Sequence, residues 1–283
     1  MRPPRSLARI ALACLWLALA IPGVSRAEDT ERLLLATTTS VRDSGLLDTL
    51  LPAFEARTGV QVQVVAVGTG AALRMGAEGN ADALLTHAPE AEAKVVESGA
   101  ALGRRPFMQN HFVLVGPEDD PAKVAEVGSP EEALRRIQAG GFAYVSRGDD
   151  SGTHKREVAL LGAAGLDPAG GWKGFARTGS SMGLTLQVAG ERRAYTLSDL
   201  GTFLAFRERV GLVALSKPTE SLRNVYSVLR IDPARFAKVN AKAATQLEQY
   251  LLEPEVQKQI AEFGRERFGR SLFHPLALET ASP

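Results

Sequence analysis

Four short segments hold the residue types that could do chemistry. They are Thr37-Thr38-Thr39-Ser40, Gly68-Thr69-Gly70, Ser146-Arg147-Gly148-Asp149-Asp150-Ser151-Gly152-Thr153 and Gly179-Ser180-Ser181. Each follows an extended segment and precedes a helical pattern. Each carries hydroxyl groups, and three of the four carry glycine. Glycine lets a backbone N–H approach a bound group closely, and Ser and Thr hydroxyls add neutral donors. Helix N-termini leave free N–H groups and the positive end of a dipole. Together these parts suit an anion. The plainer reading of any one segment is an N-cap, the usual role of Ser or Thr ahead of a helix. Four such segments in one chain favour the anion. Ser44, with Asp43 beside it, reads as a cap alone.

Arg147 is the one cation among these segments. Its planar fork matches a tetrahedral oxyanion through two parallel hydrogen bonds. The alternative is an ion pair with Asp149, Asp150 or Glu157. No segment holds a lysine, and G-x-x-x-x-G-K-[ST] occurs nowhere in the chain, which argues against nucleotide hydrolysis.

Two rival constellations are weaker. Gly179-Ser180-Ser181-Met182-Gly183 matches G-x-S-x-G, and Asp199 or Asp232 and then His274 follow in hydrolase order. A nucleophile elbow needs a buried strand directly before it, and GGWKGFART does not read as one. The four histidines, His87, His111, His154 and His274, lack a short metal-ligand spacing. Asp149-Asp150 beside His154 reads as a solvated acidic loop rather than a cation site. His87 reads as a structural histidine close to the crevice, and Trp172 and Phe175 read as core.

The elements that must position these segments alternate between strand and helix. Leu33–Ala36 is a short apolar strand. Leu46, Leu47, Leu50, Leu51 and Phe54 repeat at helical spacing from Ser44 to Arg57, and Gly59 stops the run. Val60–Val67 alternates and is β-branched, a strand. Further strands are expected at Ala83–Thr86, His111–Gly116, Phe142–Val145, Leu212–Leu215 and Asn224–Ile231. Helices are expected at Ala71–Ala77, Pro89–Ser98, Glu131–Gln138, Lys155–Leu161, Met182–Ala189 and from Ala234 to Arg267. Alternation of this kind implies α/β architecture with mostly parallel sheet. The expected division is a first lobe of 28–116 plus 223–283 and a second of 117–222. The strand at Asn224–Ile231 is expected to pair with His111–Gly116, so that two strands cross between lobes that hinge around a ligand.

The chain has 283 residues, 45% apolar and 23% charged, with a formal charge of +1. That balance excludes disorder and gives no sign of nucleic-acid binding. Arg2, Arg5 and Arg9 precede an apolar run, Ile10–Ile21, and Ser25-Arg26-Ala27 suits cleavage after Ala27, so 1–27 reads as a secretory leader. The run is shorter than the ~20 residues of a membrane span. Cys14, the only cysteine, would leave with it, so no disulfide or thiolate site is expected. Loss of four arginines leaves 29 basic against 32 acidic residues, a formal −3.

The stretch LLLATTTSVRDSGLLDTLLPAFEARTGVQVQVVAVGTGAAL resembles the start of the tungstate-binding proteins. The likeness continues through DALLTHAPEAE, NHFVLVGPEDDPA, SRGDDSGTH, SMGLTL and YTLSDLGTFLAF. It implies a two-lobe type II periplasmic-binding-protein fold. It also implies a periplasmic receptor, with no cofactor and no catalysis, that closes over one tungstate and delivers it to an ABC permease. Molybdate is the nearest alternative ligand, and sulfate or phosphate are further ones. A monomer is expected. Carried over residue by residue, the resemblance implies anion contacts from Thr38, Thr39, Thr69, Arg147, Ser151, Thr153 and Ser181.

Overall fold

The computed structural model describes residues 31–167 and 172–277; the leader expected at 1–27 lies outside them. In chain order, β1 (Arg32–Thr38) runs into α1 (Thr39–Ser44) and α2 (Leu46–Thr58). Then follow β2 (Gln61–Val67), α3 (Thr69–Ala77), β3 (Ala83–Thr86), α4 (Pro89–Glu97) and the long β4 (Ala101–Pro117). The middle of the chain forms α5 (Pro130–Ala139), β5 (Tyr144–Ser146), α6 (Gly152–Ala163), β6 (Phe175–Arg177) and α7 (Met182–Glu191). It continues through β7 (Thr196–Asp199), α8 (Leu200–Val210) and β8 (Leu212–Ala214). The last part is β9 (Arg223–Ile231), α9 (Ala241–Leu252), α10 (Pro254–Glu262), α11 (Arg265–Phe268) and β10 (His274–Pro275).

The helix expected from Ser44 to Arg57 is α2, and the short helix α1 precedes it. Gly45 sits at φ 80°, a left-handed conformation that costs glycine little, and its N–H closes on Arg42 O. Gly45 therefore stands at the N-cap position of α2, while the Ser44 hydroxyl still accepts the Leu46 N–H at 3.2 Å. Behind this turn, Leu46, Leu50 and Phe54 on one face of α2 are fully buried. Burial of each such side chain stabilises the fold by about 1.5–3 kcal/mol.

The large sheet has the order β10-β4-β9-β3-β1-β2. β1 lies between β2 and β3, parallel to both, with Leu35 opposite Val64 and Ala83. The long strands β4 and β9 run antiparallel, and β9 also runs antiparallel to β3. This corrects the expected pairing of β9. β9 meets β4 along Ala101–His111, with Asn110 opposite Asn224, and the pairing ends at His111 opposite Arg223. The remainder of β4, Phe112–Pro117, pairs instead with β7 and β8. The early half of β4 escapes a sequence reading because it contains Arg104-Arg105-Pro106, and its register shifts on either side of that segment.

The apolar core divides along the same line. Leu33, Leu35, Phe54, Phe107, Tyr226, Leu247 and Ile260 pack around β1, β9 and the C-terminal helices. Phe112, Leu114, Leu134, Tyr144, Leu160, Trp172 and Tyr195 pack around the later part of β4 and α5–α6. Trp172 also donates its ring N–H to Phe142 O at 3.2 Å.

Candidate functional site

The first segment is held by a chain of hydrogen bonds. β1 delivers Thr38 to the start of α1, where its hydroxyl accepts the Val41 N–H at 3.3 Å. The Thr38 and Ser40 hydroxyl oxygens lie 3.0 Å apart, and Ser40 Oγ lies 3.1 Å from His87 Nε2. His87 follows β3 directly, and its Nδ1 lies 2.9 Å from Asn224 Oδ1 on β9. Asn224 spends its two amide hydrogens on Asn110 Oδ1 at 2.8 Å and Tyr226 OH at 2.9 Å. Its Oδ1 is therefore an acceptor, His87 carries its proton on Nδ1, and Nε2 accepts the Ser40 proton. Burial holds the His87 pKa down at about 4, against the raising hydrogen bond to Asn224 and with Arg147 lowering it further. The ring is neutral at pH 7 and stacks on Tyr226, with centroids 4.8 Å apart.

The second and third segments differ in kind. Thr69 opens α3 and Thr153 lies in the first turn of α6, at 0% and 1% exposure. Among the described residues, neither hydroxyl has a hydrogen-bond partner. A buried hydroxyl left unpaired costs about 1–3 kcal/mol. Arg147 is also buried; its Nε donates to Ser180 O at 3.2 Å and its Nη2 to Asp149 Oδ2. Asp149 Oδ1 in turn accepts the Ser151 N–H at 3.2 Å, and the Ser151 hydroxyl caps α6 by accepting from His154 N at 3.2 Å.

Close packing joins these segments. A Cβ placed on Gly70 would meet Asp150 Oδ2 at 2.3 Å, and one placed on Gly152 would meet His87 Cε1 at 2.6 Å. The structure thus sets Gly68–Gly70 against Asp150, the start of α6 against His87, and Arg147 against the Ser180 carbonyl. Thr38, Thr69, Arg147, Ser151 and Thr153 all lie in this contiguous region. Thr39 is half-buried beside Thr38. Ser181 is exposed at the N-cap of α7 and makes no capping bond. His87 has a direct structural link to the Thr38 segment, and Ser40, Asn224 and Asn110 extend it. The sequence placed His87 only near a crevice, because its partner Asn224 is 137 residues away.

The acids behind the loop are unusual. Glu157, four residues after Thr153 on α6, is 1% exposed and both its carboxyl oxygens lack partners. Burial pushes its pKa up to about 7, against lowering by Ser146, the Arg147 backbone and Arg177. Asp199 caps α8 by accepting the Thr202 N–H at 2.9 Å, and burial raises its pKa too. His274, the candidate hydrolase base, lines a small cavity with His111, Leu200 and Arg270; Ser181 is not part of that lining. Among the described residues, no group of three or more His, Cys, Asp or Glu side chains could hold a metal ion.

The sequence family described as the PBP superfamily domain matches residues 24–255. The tungstate-binding protein TupA of Peptoclostridium acidaminophilum is 41% identical over 286 residues, spanning 96% of this chain and 99% of that protein. The chain belongs to this family. Two solved structures carry the likeness into three dimensions. The tungstate ABC transporter protein of Geobacter sulfurreducens is 43% identical, with a TM-score of 0.75 over 82% of this chain and 99% of that one. The tungstate-binding protein TupA of Desulfovibrio alaskensis G20 is 37% identical, with a TM-score of 0.77 over 87% and 99%. In this TupA-family chain, the hydroxyl-bearing segments thus sit on a periplasmic-binding-protein fold. They occupy strand-to-helix junctions, the usual place for a ligand in open α/β sheets.

Proposed function

We propose that this chain is an extracytoplasmic receptor that binds one tungstate dianion between two lobes and delivers it to an ABC permease. One observation carries the site most directly: Thr69 and Thr153, buried on different segments, hold hydroxyl groups with no partner among the described residues. Groups of that kind are costly unless something pairs with them. A tetrahedral dianion pairs with both. Tungstate is favoured as that dianion by the names of the relatives above.

In this reading Thr38, Thr39, Thr69, Arg147, Ser151, Thr153 and Ser181 surround the ligand. The N-termini of α3 and α6 add backbone N–H groups and positive dipole ends. Burying a dianion costs several kcal/mol, and each charged hydrogen bond returns roughly 1.5–3. About seven to nine donors leave a net ~12 kcal/mol, which is nanomolar binding. Arg147 gives up its bond to Asp149 in part to meet the ligand. The lobes are 28–116 with 223–283, and 117–222; β4 passes between them and hinge motion closes the cleft. Bound tungstate requires no cofactor and undergoes no reaction. The leader at 1–27 directs the chain to the periplasm, where it acts as a monomer.

Molybdate has the same charge and shape and is the second ligand this site accommodates. Calorimetry of the mature protein with tungstate, molybdate, sulfate and phosphate tests the reading. Tight binding of tungstate is expected, with sulfate and phosphate far weaker. Tight binding of sulfate alone would refute the assignment.

A further inference from the structure

The anion-binding reading leaves one buried carboxyl unused. Glu157 lies one helical turn after Thr153, so the two side chains share a face of α6. Both are 1% exposed. Both Glu157 carboxyl oxygens, Thr153 Oγ1, and the neighbouring Ser146 Oγ and Tyr144 OH on β5 are buried without hydrogen-bond partners. An ionised carboxylate here loses more hydration than the Ser146 hydroxyl and the Arg147 backbone return to it. A neutral carboxylic acid has a proton to donate and an oxygen to accept, which suits two hydroxyl neighbours.

The surrounding charges are few. Tyr144 on β5, Arg147 and Asp149 in the following loop, and Arg177 on β6 act on this region. Asp199 closes β7, which packs against α6. On α6 itself Lys155 pairs with Asp150, and Arg156 reaches the Arg223 carbonyl. On α5, Glu132 is bridged to Arg135 and Arg136, while Glu131 stands in its first turn. Among the described residues, no cation is hydrogen-bonded to the Glu157 carboxyl.

We propose that Glu157 is a proton site coupled to the anion: when the dianion enters, the Glu157 carboxylate takes a proton from solvent, so the receptor binds its ligand together with a proton. The inference rests on the anion-binding reading above. Burial already places this carboxyl near neutrality, so the free receptor divides between the two protonation states at pH 7. A doubly negative ion on the same face of α6 disfavours the charged form further. The bound state then holds more protons than the free state. Linkage makes affinity independent of pH below about 7 and makes it fall by up to about tenfold per pH unit above.

The test is calorimetry of tungstate with the mature wild-type receptor and with Glu157→Gln at pH 6.5, 7.5 and 8.5, in buffers of unlike ionisation enthalpy. Wild type is expected to take up a fraction of a proton at pH 6.5, approaching one at pH 8.5. Its affinity should fall about tenfold between 7.5 and 8.5. The Gln variant should bind with no proton uptake and a nearly flat profile. Wild-type binding without proton exchange overturns the inference, and so does uptake that survives in the Gln variant, which would put the proton on another group such as Asp199. If the variant does not fold, difference infrared spectra of wild type decide. Tungstate should add a protonated-carboxyl band, and absence of that band overturns the proposal. Failure to bind tungstate at any pH would instead overturn the anion-binding reading itself.

Discussion

The two sides of the candidate site treat their hydroxyl groups in opposite ways. Around α1, Thr38 and Ser40 are buried and satisfied, tied through His87 and Asn224 to Asn110 and Tyr226. Around α3 and α6, Thr69 and Thr153 are equally buried and have no partner. Residue type is the same, threonine at a strand-to-helix junction. The first arrangement is already paired within the fold, so an anion reaching Thr38 adds to or competes with existing bonds. The second is a deficit that the proposed anion would remove. Burial without a partner therefore points to the proposed ligand's place more sharply than hydroxyl chemistry alone.

Titration separates the two sides most strongly. His87 has a folded pKa of about 4, below its unfolded value of 6.5. The unfolded chain takes the proton first, so this stability is present above pH 6.5 and lost as pH falls toward 4, by about 3 kcal/mol. Glu157 has a folded pKa of about 7, above its unfolded value of 4.5. Its contribution is present below pH 4.5 and lost as pH rises to 7, by a similar ~3 kcal/mol. The slopes oppose one another in wild type between about pH 4.5 and 6.5. Urea unfolding at pH 5 and 7 should expose them singly. His87→Gln should lose stability as pH rises, relative to wild type, and Glu157→Gln should gain it. Parallel profiles for all three chains would contradict these assignments.

Arg147→Ala should weaken tungstate binding by ~2 kcal/mol or more, because a buried dianion loses its only cationic partner in these loops. An unchanged calorimetric affinity would remove Arg147 from the site. Thr153→Val and Thr69→Val should each weaken binding by about 1.5 kcal/mol while leaving unfolding stability equal or slightly higher, since no protein hydrogen bond is lost. A large loss of stability in either would show that the hydroxyl serves the fold. Ser40→Ala should do the reverse. It removes the hydroxyl that donates to His87 Nε2 and should cost about 1 kcal/mol in unfolding, with a smaller change in affinity.

What the sequence disclosed follows from what is local. Strand-to-helix segments rich in glycine and hydroxyls announce themselves, because caps, turns and periodicity act over a few residues. The length of β4 was hidden by Arg104, Arg105 and Pro106, which carry no apolar alternation to mark a strand. β7 and α8 escaped notice because Thr196–Asp199 is only four residues long and runs straight into the helix. At the site, Thr69 and Thr153 were legible by type, but their lack of partners is a property of packing. Ser181 was legible in the same way, and its exposure was not. The His87–Asn224 contact joins β3 to β9 and leaves no local signal in either segment.

The central claim is that one oxyanion completes the unsatisfied side of this site. Diffraction from crystals of the mature protein grown with tungstate, at a wavelength where tungsten scatters anomalously, tests it most directly. The account predicts a single strong anomalous peak within hydrogen-bonding reach, through its oxygens, of Thr38, Thr69, Arg147 and Thr153. A peak elsewhere, with Thr69 and Thr153 still unpartnered, would contradict it.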